Sequence, residues 1–221
     1  MQSILSSPFF IAILALLVAL LIQLAYFWLI FSRLAFYNSA KRPVNEAKEP
    51  VSVIICAKNE YHNLVRFLPA ILEQNYPEFE VVVVNDASDD DTFYLLRELA
   101  DKNPRLKVIN ITQNLNFFTG KKFPLSIGIR SAKYDVVLLT DADCYPAGPE
   151  WLAGMQAAFT GKTEIVIGYG PYAPQPGLLN KLIRFDTLMV AVQYMSLALS
   201  GMPYMGVGRN LAYHKSLYFK T

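Results

Sequence analysis

The stretch Val136-Val137-Leu138-Leu139-Thr140-Asp141-Ala142-Asp143-Cys144 ends an apolar run on two carboxylates at positions i and i+2. Four consecutive apolar residues, two of them β-branched, read as a short buried strand of a parallel sheet. In an extended chain, side chains at i and i+2 leave on the same side, so Asp141 and Asp143 are expected to converge. Two converging carboxylates repel each other unless a cation sits between them. Mg²⁺ or Mn²⁺ suits such a place, because these ions prefer oxygen ligands, use few protein carboxylates and complete their shell with water and substrate phosphates. An isolated Asp-x-Asp is equally a solvated strand end with turn-forming residues. The neighbours therefore carry the reading.

Three further segments hold polar residues at comparable places. Ala57-Lys58-Asn59-Glu60 follows an apolar run over 51–56, and Asn85-Asp86-Ala87-Ser88-Asp89-Asp90-Asp91-Thr92 follows the valines of 81–84. Ser88 and Asp91 have capping-box spacing, and Asp90 suits the positive end of a helix, so part of this run is expected to start the next helix. Asp86 stands before that turn, at the strand tip, where a base could be hydrogen-bonded. The third segment is Gly120-Lys121-Lys122. A glycine and lysines opening a helix can attract phosphate through N–H groups and charge together. The spacing of a Walker loop is missing, which argues against a P-loop ATPase. Taken singly, the lysine pair reads as a solvated face and Asn59-Glu60 as an ordinary loop.

The elements that must position these residues alternate. Strands are expected over 51–56, 81–84, 106–111, 136–140 and 163–169, with helices after residue 60, over 92–102, near 125–130 and over 178–199. Alternating strands and helices with fully apolar strands predict an α/β fold, a mostly parallel sheet flanked by helices on both faces. Ligands of such sheets bind outside the carboxyl ends of the strands, and all four polar segments fall there.

Ala57-Lys58-Asn59-Glu60, Asn85-Asp86-Ala87-Ser88-Asp89-Asp90, Gly120-Lys121 and Thr140-Asp141-Ala142-Asp143, in that order, resemble the cytoplasmic catalytic domain of membrane-bound family 2 glycosyltransferases. That group includes cellulose, hyaluronan and poly-N-acetylglucosamine synthases. The resemblance runs from about Val51 to the end of the chain. It implies a GT-A (Rossmann-like) fold, inverting transfer from a UDP-sugar to a saccharide or lipid-linked acceptor, and a Mg²⁺ or Mn²⁺ requirement. By the same resemblance, Asp86 contacts the uracil and Ala57 and Glu60 line the nucleoside pocket. Lys121 lies on the uridine and diphosphate side, Asp141 faces the ribose and metal, and Asp143 ligates the metal. Gly206 to Ala212 would lie near the acceptor. Pro124 and Ser126 stand where the family usually has Ala and Asn. The family's general base belongs to an acidic motif further on, expected beyond Thr221; after Asp143 the only carboxylates are Glu150, Glu164 and Asp186. The chain thus reads as a donor-binding portion truncated before its base.

Composition agrees with a membrane-associated domain. Of the 221 residues 53% are hydrophobic, and residues 8–31 carry no charge, with Gln23 the one strongly polar side chain. About 20 apolar residues cross a bilayer as a helix. Tyr26 and Trp28 suit an aromatic belt, and Arg33, Lys41 and Arg42 follow, so the positive-inside bias places the later residues in the cytoplasm. A cleaved signal peptide would have a charged n-region and a shorter apolar core. The expected organisation is a transmembrane signal anchor over 1–36, a linker over 37–50 and a GT-A domain over 51–221. The apolar pattern of 178–199 reads as an amphipathic helix on the sheet or in the membrane interface, with a second span as the competitor. A net charge of +2 without a basic cluster gives no sign of nucleic acid. Cys56 and Cys144 read as small buried hydrophobes. A sugar nucleotidylyltransferase would need a Gly-rich loop after the first strand; a polyprenyl-phosphate glycosyltransferase, with a lipid acceptor, is the enzymatic alternative, and a non-catalytic nucleotide-sugar-binding membrane protein the non-enzymatic one.

Overall fold

The computed structural model describes residues 7–38, 45–112, 120–161 and 163–220, and these fall into two compact units. The first comprises 1–42 and 171–206; the second comprises 43–170 and 207–221. This division cuts across the continuous 51–221 domain expected from sequence. Of the expected linker, 39–44 lie outside the described residues, whereas 45–50 are tied into the second unit. Asn45 N–H donates to the Ala157 carbonyl (3.0 Å) and Tyr76 hydroxyl to that of Glu49 (2.6 Å). Lys41 and Arg42, two of the three cations flanking the expected anchor, also lie outside the described residues.

The second unit holds a six-stranded sheet. In chain order its elements are β1 (Val51–Ala57), α2 (Tyr61–Leu72), β2 (Phe79–Asp86), α3 (Thr92–Lys102), β3 (Leu106–Ile111), α4 (Lys122–Ser131), β4 (Val136–Asp141), α5 (Trp151–Gln156), β5 (Ile165–Ile167), β6 (Leu211–His214) and α7 (Lys215–Tyr218), and the sheet order is β3-β2-β1-β4-β6-β5. β1 pairs in parallel with β2 and β4, and β2 with β3; β6 runs antiparallel to both β4 and β5. The sheet is therefore mostly parallel, as its apolar strands predict.

Strand alternation builds two cores. Val53, Ile55, Val81, Val83 and Leu138 face α2, α3 and α5, packing with Leu64, Leu68, Leu96 and Leu152. Ile54, Val82, Val84, Val137 and Leu139 face the other way, toward α4, with Leu125 and Leu211. Burying a Val, Leu or Ile side chain contributes about 1.5–3 kcal/mol, so strands buried on both faces hold this unit together. The approach of α4 depends on Gly128, since a Cβ there would stand 2.6 Å from Ile54 Cγ2.

The first unit contains two long helices. α1 (Pro8–Ala35) is α-helical over Pro8–Tyr26, widens to a π-helix over Phe27–Phe31 and closes with Ser32–Ala35. None of Pro8–Tyr26 is buried, although nearly every side chain in that segment is apolar. α6 (Leu178–Leu199) follows Gly177, whose φ of 105° is open to glycine without steric cost. Both helices are long and apolar enough to cross a membrane.

Candidate functional site

The register of the strands assembles the site. Ala57 pairs with Asn85, and Cys56 with Asp141, so β1, β2 and β4 end at a common edge. Alternation puts Ile54, Val84 and Leu139 on the α4 face, and two residues on along each strand come Cys56, Asp86 and Asp141. These three side chains therefore leave on the same face; Cys56 stands beside Asp141, and Asp86 lies two residues beyond Val84, the partner of Cys56 on β2. Lys121, the residue that opens α4, forms an ion pair with Asp141. Burial pushes the Cys56 thiol up to about 11; Lys121 opposes the shift, and Asp141 and Asp86 add to it.

Asp141 and Asp143 are brought together by a turn rather than by strand alternation. β4 ends at Asp141, and the Cys144 N–H donates to the Asp141 carbonyl at 3.1 Å. Ala142 is buried in the core beneath. Oxygen atoms of Asp141 and Asp143 and the sulfur of Cys144 lie within 4.8 Å of one another. Burial, then the charges of Asp143 and Asp141, push the Cys144 thiol up to about 11, and it donates to Asp143 Oδ1 at 3.5 Å. A protonated thiol is a poor ligand for a hard cation, whereas two carboxylates fit Mg²⁺ or Mn²⁺. The donor set fits the expected ion, with the thiol as a hydrogen-bond donor. Sequence reading treated Cys144 as a buried hydrophobe; only its proximity to both carboxylates reveals the other role.

The nucleoside-side residues lie in two interlaced loops. Ala57 is buried at the end of β1, and Asp86 is half-buried at the end of β2. Glu60 caps α2; its N–H donates to Thr92 Oγ1 (3.1 Å) and its carboxylate accepts from Asn63 (2.6 Å). Ser88 does not cap α3 as its spacing predicts. Its hydroxyl donates to Asn85 Oδ1 (2.6 Å) and accepts from Asn59 N–H (2.9 Å). Asp90 serves the helix instead, accepting from the N–H of Thr92 (3.0 Å) and that of Tyr61 (3.2 Å). Burial acts to raise the Asp90 carboxyl, but bonds from Thr92 and Tyr61 outweigh it and hold it below its usual value.

Asn59 closes this lattice from a left-handed conformation, φ 57°, with Oδ1 accepting from the Asp89 N–H at 2.7 Å. Asn59→Ala removes that acceptor and places an ordinary residue at positive φ, for a combined loss of about 2–3 kcal/mol. Asn59→Gly keeps the conformation and should cost less than the alanine. Denaturation midpoints of the two variants check this; equal midpoints would mean that the left-handed turn is not under strain.

A cavity of about 220 Å³ opens on the same face, lined among others by Cys56, Lys121, Thr140, Asp141, Gly208 and Arg209. The 3₁₀ turn Gly208–Asn210 brings Arg209 there. Asn210 holds that turn: its side chain accepts from Trp151 Nε1 (3.0 Å) and donates to the Tyr169 carbonyl (3.2 Å), and its carbonyl accepts from Gly168 N–H (2.8 Å). Arg209 packs so close over Gly170 that a Cβ would stand 3.0 Å from its side chain. Neither contact could be found without β6, which has no separate signature in the sequence.

A largely parallel sheet with carboxylates and a lysine at the ends of its parallel strands, and two antiparallel strands beyond β4, defines the GT-A class of fold. Solved structures show the same architecture. The mannosyltransferase PcManGT of Pyrobaculum calidifontis, solved with GDP-Man and Mn²⁺, superposes with a TM-score of 0.68 at 24% identity, over 89% of this chain and 53% of its own. Residues 1–349 of S. aureus TarS give 0.54 at 23% identity, over 77% and 48%. Residues 52–216 match the glycosyl transferase family 2 profile, and the chain belongs to that family. Among curated relatives, an uncharacterized glycosyltransferase of Haemophilus influenzae is 31% identical over 122 residues, 55% of this chain and 36% of its own. The poly-beta-1,6-N-acetyl-D-glucosamine synthase of Staphylococcus epidermidis is 32% identical over 113 residues, 51% and 25%. The chain thus spans between a quarter and two fifths of the length of these two relatives.

Proposed function

We propose that this chain carries the donor site of a membrane-anchored, inverting glycosyltransferase. It moves a sugar from a UDP-sugar to a saccharide acceptor in cell-envelope or exopolysaccharide synthesis. The observation that carries the reading is the convergence of Asp86, Asp141 and Lys121 on one face of the carboxyl edge, with Asp143 one turn beyond. Asp86 receives the base, next to Ala57 and Glu60. Lys121 attracts the diphosphate, and Asp141 and Asp143 hold Mg²⁺ or Mn²⁺. When bound, the ion offsets the negative charge that the nucleoside diphosphate gains as it leaves. The relatives support this assignment in kind: one is a polysaccharide synthase, and a fold neighbour was solved with a nucleotide-sugar and Mn²⁺. α1 supplies the anchor, with Arg33 at its inner end and the catalytic unit in the cytoplasm.

Calorimetric titration of the full chain with UDP tests the reading. Affinity should require Mg²⁺ or Mn²⁺ and fall on adding EDTA. Asp86→Ala should weaken UDP by about tenfold or more, the scale of a lost hydrogen bond to a charged group, with metal dependence retained. UDP affinity unchanged by EDTA would overturn the metal assignment, and an Asp86→Ala chain binding as tightly as the parent would remove the base contact.

A further inference from the structure

The tip of β4 has a different neighbour on each side. On one side Cys56 of β1 is the register partner of Asp141. On the other, β6 pairs antiparallel with β4 from Val136↔His214 to Leu139↔Leu211. Carried two residues further, that register brings Arg209 level with Asp141. Arg209 sits in the 3₁₀ turn Gly208–Asn210, which packs against β4. Cys56, Asp141, Lys121 and Arg209 line one cavity, and all of them belong to the second unit. Lys121 is paired with Asp141, so Arg209 brings a second cation to the same wall.

The side chain is held in place. Arg209 is half-buried, and its stem lies across Gly170, where an added Cβ would stand 3.0 Å from Cγ, Cδ and Nε. The next residue, Asn210, is fixed by its bonds to Trp151 and Tyr169. An arginine seated by both its stem and its backbone loses less conformational freedom on taking up a ligand than a loose surface arginine does.

Strand order gives this cation a direction. Across the carboxyl edge Asp86 ends β2, Asp141 ends β4, and the Arg209 turn leads into β6, in the sheet order β2-β1-β4-β6. A nucleoside diphosphate with its base at Asp86 and its phosphates at Asp141 points its far end toward β6. Resting on the donor site proposed above, we infer that Arg209 binds the distal phosphate, the one bonded to the sugar. Asp86 then recognises the base, and Arg209 makes the site select a nucleoside diphosphate over a monophosphate. A guanidinium suits this task, because its planar fork offers paired N–H donors to phosphate oxygens and stays charged at any working pH. Arg209 thereby takes a donor role within Gly206–Ala212, a segment that the family resemblance places near the acceptor.

Calorimetric titrations of the full chain in saturating Mg²⁺ test this by comparing UDP with UMP. Arg209→Gln should lower UDP affinity by about 10–100-fold, the scale of a hydrogen bond to a charged group, and leave UMP affinity unchanged. The unchanged UMP affinity also shows that the variant is folded. Arg209→Lys should recover only part of the loss, since an ammonium cannot make the paired contact. EDTA should still lower the remaining UDP affinity of Arg209→Gln, whose Asp141 and Asp143 are intact. Asp86→Ala should weaken UDP and UMP alike. Equal losses of UDP and UMP in Arg209→Gln, or parent affinity for both, would overturn the proposal. So would a loss for a UDP-sugar without a loss for UDP, which would assign Arg209 to the transferred sugar. Parent affinity for both nucleotides in Asp86→Ala, together with the UDP-specific loss in Arg209→Gln, would remove the base contact and leave the phosphate contact standing. No UDP binding by the parent chain would overturn the donor site and this proposal with it.

Discussion

Asp143→Asn should reduce UDP binding in Mg²⁺ to the level that the parent chain shows in EDTA. Asp143 is exposed, and its carboxylate accepts a hydrogen bond from the Cys144 thiol, so the substitution leaves the fold alone. The amide keeps the shape and removes the anionic ligand that a hard cation needs. Changing a mere partner of a metal ligand costs about 10–100-fold in metal affinity, and losing the ligand costs at least as much. Asp141→Asn should be milder. Its carboxylate is paired with Lys121, so the loss of a metal ligand also releases an ammonium group that can attract the diphosphate directly. Titrations of both variants against Mg²⁺ and Mn²⁺ separate the two effects. If Asp141→Asn proves the more damaging, Lys121 is not available to the diphosphate in the way proposed.

Gly168→Ala should be the most destabilising single methyl in the second unit. An added Cβ would come within 2.1 Å of Asn210 Nδ2, and the Gly168 N–H is itself bonded to the Asn210 carbonyl. Asn210 cannot move aside without giving up its bonds to Trp151 and Tyr169. Overpacking costs about 1–3 kcal/mol and each lost hydrogen bond about 1 kcal/mol more. The displaced turn carries Arg209, so the cavity beside Lys121 and Asp141 should change shape along with the loss of stability. Gly154→Ala is the matched control: it lies in α5 with nothing within 4 Å of an added Cβ. There, alanine should stabilise by roughly 0.5–1 kcal/mol, the usual cost of glycine inside a helix. Denaturant midpoints at unchanged slope read both effects. A Gly168→Ala chain as stable as the parent would show that Asn210 is not held in place by these contacts.

Much of the fold was legible because its signals are local. Strands buried on both faces must be apolar throughout, so the runs over 51–56, 81–84 and 136–140 identified themselves; the observed strands extend the first and last by one residue and the second by two at each end. The helices of 92–102 and 178–199 match α3 and α6 residue for residue. β6 was not legible. Leu-Ala-Tyr-His is four residues long, too short for a period to declare itself, and its place between β4 and β5 comes only from pairing with strands far away in sequence. α5 was hidden in the same way, as a six-residue helix whose burial rests on the packing of Leu152 and Met155.

The candidate site divides along the same line. Residue types and spacing pointed to Asp86, Asp141 and Asp143 at strand ends, and the family resemblance carried by the ordered motifs added Ala57, Glu60 and Lys121. What chemistry they share depended on register, which is a property of pairs of strands and cannot be read from either one. Register placed Cys56 beside Asp141 with Asp86 on the same face, and the packing of α4 set Lys121 on Asp141. A turn after β4, rather than the alternation of an extended chain, joined Asp143 and Cys144 to them. By itself, then, the sequence determined an α/β sheet with acidic and basic residues at its carboxyl edge, since burial and helix starts leave local traces. Tertiary structure alone decided which of those residues face one another, because that requires contacts between segments that no local pattern records.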